Sequence, residues 1–200
     1  MKSIKEKKER SLGIKLFIKA ERCNSPKCVT VRRPHRPGAH GHKKPRSLSE
    51  YGQELHEKQK LQLTYGLNNK QMMNLFKKLP KDKVMKTLER RLDRVVFLLN
   101  LAKSPRIARQ MVSHGHILVN FKRVMAPSYS VRVNDVIEIR AESQKSKMFE
   151  DLRDSLKKYN PPDWLEINKE NLKGKCLKLP ETDVYAIPFN IDLVNEFYSR

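Results

Sequence analysis

The sequence is poor in acid, in cysteine and in aromatic residues, and it has no long apolar run. Its 200 residues hold 22 Asp and Glu against 43 Lys and Arg, a formal net charge of +21. So large an excess of one sign calls for a polyanionic partner. The longest purely apolar run, Val95 to Leu99, is five residues, far short of the roughly 20 that cross a bilayer. That excludes a spanning helix and a membrane partner. Before Cys23 the only apolar cluster is Leu16, Phe17 and Ile18, too short for a signal sequence, and Glu6 and Glu9 argue against a transit peptide. The expectation is a cytoplasmic protein. The three cysteines, Cys23, Cys28 and Cys176, are odd in number and argue against a disulfide framework. Also missing are G-x-S-x-G, H-E-x-x-H and a phosphate-cradling glycine loop, and no cysteine has a convincing His or Asp partner. No enzyme and no small-molecule substrate are expected.

What is present is unevenly spread. Residues 1–46 carry a net +12, residues 47–80 +2, residues 81–140 +8 and residues 141–200 −1, so contacts to a polyanion concentrate in two places. The first segment mixes four prolines and three glycines with few apolar residues. It reads as an extended basic arm that orders on its partner.

Ser49 predicts the start of a helix through about Lys60, and residues 68–79 form a second, ended by Pro80. Val84, Leu88, Leu92, Val95, Val96 and Leu99 continue at helical spacing. Ser104 before Pro105 is an N-cap with proline at the first helical position, and Gly115 is a stop. Beyond it the period becomes two. His116 to Val119 is a strand, Asn120 to Lys122 a turn and Arg123 to Met125 its return. Tyr129, Val131 and Val133 alternate with polar residues, and Val136 to Ile139 is a further strand. The fold class is α+β: helices, then a small antiparallel sheet.

The run ERRLDRVVFLLNLAKSPRIARQMVSHGHILVNFKRVMAPSYSVRVNDVIEI, Glu89 to Ile139, closely resembles the RNA-binding module named after the fourth small-subunit ribosomal protein. That module occurs in many RNA proteins. The surrounding blocks RCNSPKC (Arg22–Cys28), RRPHRPGAHG (Arg32–Gly41), LSEYGQELHEKQKLQLTYGL (Leu48–Leu67), WLEIN (Trp164–Asn168), LPE (Leu179–Glu181) and EFYSR (Glu196–Arg200) resemble the ribosomal protein family itself. The resemblance implies a basic arm over 1–46 and a helical domain over 47–89 completed by 176–200. Between them lies an inserted domain over 90–175 holding the module at about 90–140. Apolar anchors Ile187, Phe189, Leu193, Val194, Phe197 and Tyr198 agree with a docked C-terminus.

In function the resemblance implies a structural constituent of the small ribosomal subunit. Such a protein binds ribosomal RNA (rRNA) directly, nucleates assembly of its 5′ domain, and adjoins the channel where messenger RNA (mRNA) enters, with consequences for translational accuracy. The neighbouring third and fifth small-subunit proteins are the implied protein partners, through Tyr51, Glu196 and Tyr198. The implied RNA contacts are Arg22, Lys27, Arg32, Arg33, Arg36, His40, Lys43, Lys44, Arg46, Lys58, Lys60, Arg91, Arg94, Arg106, Arg109, His114, His116 and Asn120. Lys43, Lys44 and Arg46 face the messenger in this reading. Arg106 and Arg109, three apart on a short helix, suit a phosphate ridge, with Arg91 and Arg94 similarly placed one helix earlier. Ser104 is read as a cap and not as an RNA ligand. A free RNA-binding regulator or heat-shock-type factor with the same module is the competing function. A plastid ribosome is as compatible with the sequence as a cytoplasmic one.

Two departures from the family pattern stand out. Many members bind zinc through four N-terminal cysteines, whereas here only Cys23 and Cys28 remain and Glu6 and Glu9 align with the other two. Carboxylates replace thiolates poorly in a structural zinc site, so no zinc and no other cofactor are expected. The second is Phe121, where the family commonly has glycine. Phe adopts positive φ at a cost, so a turn that is wider or of another type than the tight glycine hairpin is expected there.

Overall fold

The computed structural model describes residues 6–16, 20–23, 25–43, 47–144, 146, 149, 152–157, 159–181 and 189–199. Phe17, Ile18, Lys44, Arg46 and Ile187 lie outside the described residues. The chain divides into two compact units, Met1–Lys81 with Tyr185–Arg200, and Asp82–Val184.

In the first unit the N-terminal segment is less extended than its composition implies. It carries short helices α1 (Lys7–Leu12), α2 (Ala20–Cys23) and α3 (Val29–Arg32). Leu12, Cys23 and Cys28 are buried. Buried Glu9 accepts the Leu16 N–H at 2.9 Å, and the Arg10 guanidinium donates twice to the His35 carbonyl, at 2.7 and 3.1 Å. These bonds between distant residues hold the segment where apolar content is too low to do so.

Helix α4 (Glu50–Tyr65) begins at Ser49, whose hydroxyl accepts the Gly52 N–H. It runs five residues past the expected end, to Gly66 at φ +61°. Helix α5 (Asn69–Lys78) starts in a capping box: Asn68 accepts the Gln71 N–H at 2.8 Å and Gln71 accepts the Asn68 N–H at 3.1 Å. Ile191–Ser199, the last helix of the chain, packs on α4 and α5. Leu61, Met72 and Val194 are fully buried, and Phe76 stacks on Tyr198 with ring centroids 5.0 Å apart.

In the second unit the apolar spacing from Val84 to Leu99 is divided between α6 (Lys81–Glu89, whose first residue closes the first unit) and α7 (Leu92–Leu98). The Leu92 and Asp93 N–H groups donate to the carbonyls of Tyr129 and Pro127, and Val131 N–H donates to Arg90. Residues 127–131 therefore lie along the α6–α7 junction. The alternation there buries Val131 but makes only one bridge among the described residues, Arg91 to Ser130.

Helix α8 (Pro105–His114) has the expected limits: Ser104 accepts the Ile107 N–H at 3.3 Å and Gly115 ends it at φ +74°. Strands β1 (Ile117–Val119), β2 (Lys122–Arg123) and β3 (Val136–Ile139) follow, then short helices α9 (Ala141–Gln144) and α10 (Leu152–Lys157). Strands β4 (Leu165–Asn168) and β5 (Lys173–Cys176) complete the unit, and Ile191–Ser199 is α11. The sheet order is β2-β1-β3-β5-β4, with every pairing antiparallel.

The turn at Phe121 overturns the expectation. Val119 pairs with Lys122, leaving Asn120 (φ +50°) and Phe121 (φ +64°) as a two-residue turn with both residues left-handed. Asn120 enforces it. Its Nδ2 donates to Asp135 Oδ1 at 2.8 Å, its Oδ1 accepts the Val136 N–H at 2.9 Å, and its own N–H donates to the Val136 carbonyl at 2.9 Å.

Gly174 is the point where the sheet meets the helices. A Cβ there would run into the side chain of Leu99, which is fully buried. Gly174→Ala should therefore cost about 1–3 kcal/mol of stability and Leu99→Ala about 2–5 kcal/mol. The double variant, measured by denaturant unfolding, should lose less than the sum because the smaller residue 99 admits the new methyl.

Candidate nucleic-acid interface

Helix α8 turns Ala108, Met111 and Val112 inward and leaves Arg106 and Arg109 half-buried on its other side. What holds Arg109, together with Arg91 and Arg94, is a pair of carboxylates at the α6–α7 junction. Asp93 sits in the first turn of α7, nearly buried. Both of its oxygens receive the Arg91 guanidinium, at 3.0 and 2.8 Å, and Arg109 approaches from α8 at 3.6 Å. Glu89, buried at the end of α6, receives Arg94 at 3.1 Å. Carboxylates this deep need such partners. The outcome is a fixed Arg91–Asp93–Arg109 group with one net positive charge.

The predicted RNA contacts therefore divide. Arg91 and Arg94 direct their forks at internal carboxylates and not at a phosphate ridge. Arg106 has no carboxylate partner among the described residues. Asn120 commits its side chain to Asp135 and Val136, as described for the turn. His114 is exposed; His116 Nδ1 lies 2.9 Å from the Ser143 hydroxyl and its ring packs edge-on to Phe149. Lys122 and Arg123, exposed on β2, were not among the predicted contacts. Arg123 donates to the His114 carbonyl at 3.1 Å and covers the open side of Gly115. Their signal was two adjacent cations after a hairpin turn.

In the first unit Lys27, Arg32, Arg33, Arg36, His40 and Lys43 are exposed. Arg22 is 3.7 Å from Glu6 and donates to the Lys27 carbonyl. Lys7, Arg10, Arg22, Arg33 and His35 line a cleft of about 560 Å³; Lys7 and Arg10 were not predicted. The His35 ring is held below the usual imidazole range by desolvation, by the His42 ring 3.7 Å away and by Arg10 and Arg33. Gly41 passes so close to the Arg36 carbonyl that no Cβ would fit, which sets the bend before Lys43.

Lys60 and Glu57 form an ion pair at 2.6 Å with both side chains mostly covered. The Lys58 ammonium lies 4.2 Å above the Phe197 ring, and desolvation holds its pKa below the usual lysine value. Lys58 is thus engaged against α11, and Lys60 within α4. Tyr51 is half-exposed and 5.6 Å from Phe197, Glu196 is exposed, and Tyr198 is turned inward onto Phe76.

The model for the S4 domain matches residues 90–137, and that for the ribosomal protein S4/S9 N-terminal domain matches residues 1–97. Small ribosomal subunit protein uS4 of Thermus thermophilus is 45% identical over 194 residues, covering 94% of this chain and 93% of that protein. The same protein of Syntrophomonas wolfei is 41% identical, with the same coverage.

The chain belongs to the uS4 family.

This is not an enzyme family, and its relatives named here are bacterial. Among the described residues no helix is long and apolar enough to cross a membrane.

The zinc site that the family resemblance implies does not fit the residues present. Among the described residues no group of three or more His, Cys, Asp or Glu could hold a metal ion. Glu9 is bonded to the Leu16 N–H, and Glu6 faces Arg22. The Cys28 thiol is pushed up by burial. The N–H groups of Thr30 and Val31, the Thr30 hydroxyl and the Lys15 charge outweigh this and leave it below its ordinary value.

Two outcomes test these assignments. Asp93→Ala strands the Arg91 guanidinium, only 11% exposed, and should lower unfolding stability by about 3 kcal/mol or more, whereas loss of an exposed pair would cost under about 1 kcal/mol. Dialysis against a strong zinc chelator should leave the melting temperature unchanged. One tightly held zinc per chain, removed with a fall in melting temperature, would contradict the expectation that no zinc is bound.

Proposed function

We propose that the chain is a structural constituent of the small ribosomal subunit that binds rRNA directly, by phosphate contacts and shape. The observation that carries the proposal is α8. Its arginines stand on a helix capped at both ends, Arg109 is steadied by Asp93, and Arg106 lacks a carboxylate partner among the described residues. A guanidinium steadied as that of Arg109 is meets a backbone with little ordering to lose, and both arginines read position, not sequence. In the second unit Lys122, Arg123 and His114 lie next in chain order. In the first unit the exposed cations from Lys27 to Lys43 form a separate gripping surface.

The finer reading is that the protein nucleates the 5′ domain early in assembly. Lys43, Lys44 and Arg46 then face the messenger where it enters the subunit, with contacts to phosphates that pass every sequence. Tyr51 and Glu196 are exposed and suit an interface with the third or fifth small-subunit protein, one that bears on accuracy; Tyr198, stacked on Phe76, supports that surface from beneath. Such a protein works in the cytoplasm, in the ribosome.

Arg106→Ala with Arg109→Ala should weaken rRNA binding. It should also shallow the dependence of log affinity on log salt by about one unit for each phosphate that is no longer neutralised. Unchanged affinity and slope in a folded double variant would remove α8 from the interface.

A further inference from the structure

We infer that Phe121 is a stacking platform for an unpaired RNA base, an inference that rests on the rRNA-binding reading above. Phe121 occupies a left-handed backbone conformation, φ +64°, which costs a bulky side chain energy that glycine would not incur. The residue is 77% exposed, so the side chain gives little back through burial in this chain. The turn persists because Asn120 is locked from three directions by Asp135 and Val136. Phe121 is thus held out at the hairpin tip by a rigid support.

Its surroundings say what would cover it. Lys122 and Arg123 follow it, both exposed, and the Lys173 ammonium from β5 lies 5.5 Å from the ring centroid while pairing with Glu138 at 2.8 Å. A flat apolar face with one ammonium beside it, and with two exposed cations next in sequence, matches a nucleotide, whose base stacks while its phosphate meets the positive charge. A protein surface would have to bring acid to the same spot.

The test compares the full-length parent with Phe121→Gly and Phe121→Trp on a small-subunit rRNA transcript. Phe121→Gly should melt at a higher temperature, because strain is relieved, yet bind about ten-fold more weakly, as loss of one stacked base does. Its salt slope should match that of the parent, because no charge is removed. Phe121→Trp should regain the affinity, and its emission should be quenched on binding; the native Trp164 is buried and supplies a constant background. Parental affinity in Phe121→Gly, or weaker binding with a shallower slope, overturns the inference. So does parental affinity for bare rRNA with poorer incorporation beside other ribosomal proteins, which would make the residue a protein contact. A parent that binds no rRNA sinks the functional reading as well. A parent that binds while Phe121→Gly matches it sinks this inference alone.

Discussion

The second unit depends on two carboxylates, Asp93 and Glu89, placed where helix α6 gives way to α7. A chain with a net +21 must bring arginines together to meet a polyanion, and unpaired they would repel one another and drift. Asp93 binds Arg91 through both oxygens, draws Arg109 in from α8 and accepts the Arg94 N–H at 3.0 Å. The last contact lies at a helix N-terminus, where the backbone itself favours negative charge. One buried anion thereby joins the junction and α8 and fixes a cationic surface. The cost is that Arg91 and Arg94 have little left to offer a phosphate.

The same arrangement recurs at the hairpin. Asp135 is nearly buried and receives both the Asn120 amide and the Arg132 N–H, each at 2.8 Å. Asn120, expected to face RNA, becomes the support that holds Phe121 out. In the first unit, Glu9 and the Arg10 guanidinium tie together residues with few apolar neighbours. Residues of the kind that ordinarily contact RNA are here used partly as internal fasteners, which leaves the proposed outward role to their exposed neighbours.

Much of the architecture is legible where structure is set locally. Ser104–Pro105 and Gly115 bound α8 because caps act within one turn, and the capping residues Asn68 and Gln71 do the same for α5. The division of α6 from α7 is hidden because Leu88 and Leu92 keep helical spacing across it; the break is made by carbonyls of Pro127 and Tyr129, over thirty residues away. Strand β5, Lys-Gly-Lys-Cys, has little strand character of its own and exists because β3 and β4 flank it, with Leu99 packed against Gly174. Phe121 misleads because its own preference opposes the turn that Asn120 imposes. The engagement of Arg91, Arg94, Lys58 and Lys60 is beyond the reach of sequence, since net charge per segment counts cations without showing which are already paired.

The central claim is this division of labour among cations, and a density map of the assembled small subunit tests it most directly. The account predicts that Arg106 lies within hydrogen-bond distance of an rRNA phosphate while the Arg91 fork stays closed on Asp93 and Arg94 stays on Glu89. A map in which Arg91 has left Asp93 for a phosphate, or in which the outer face of α8 meets only solvent, would contradict it.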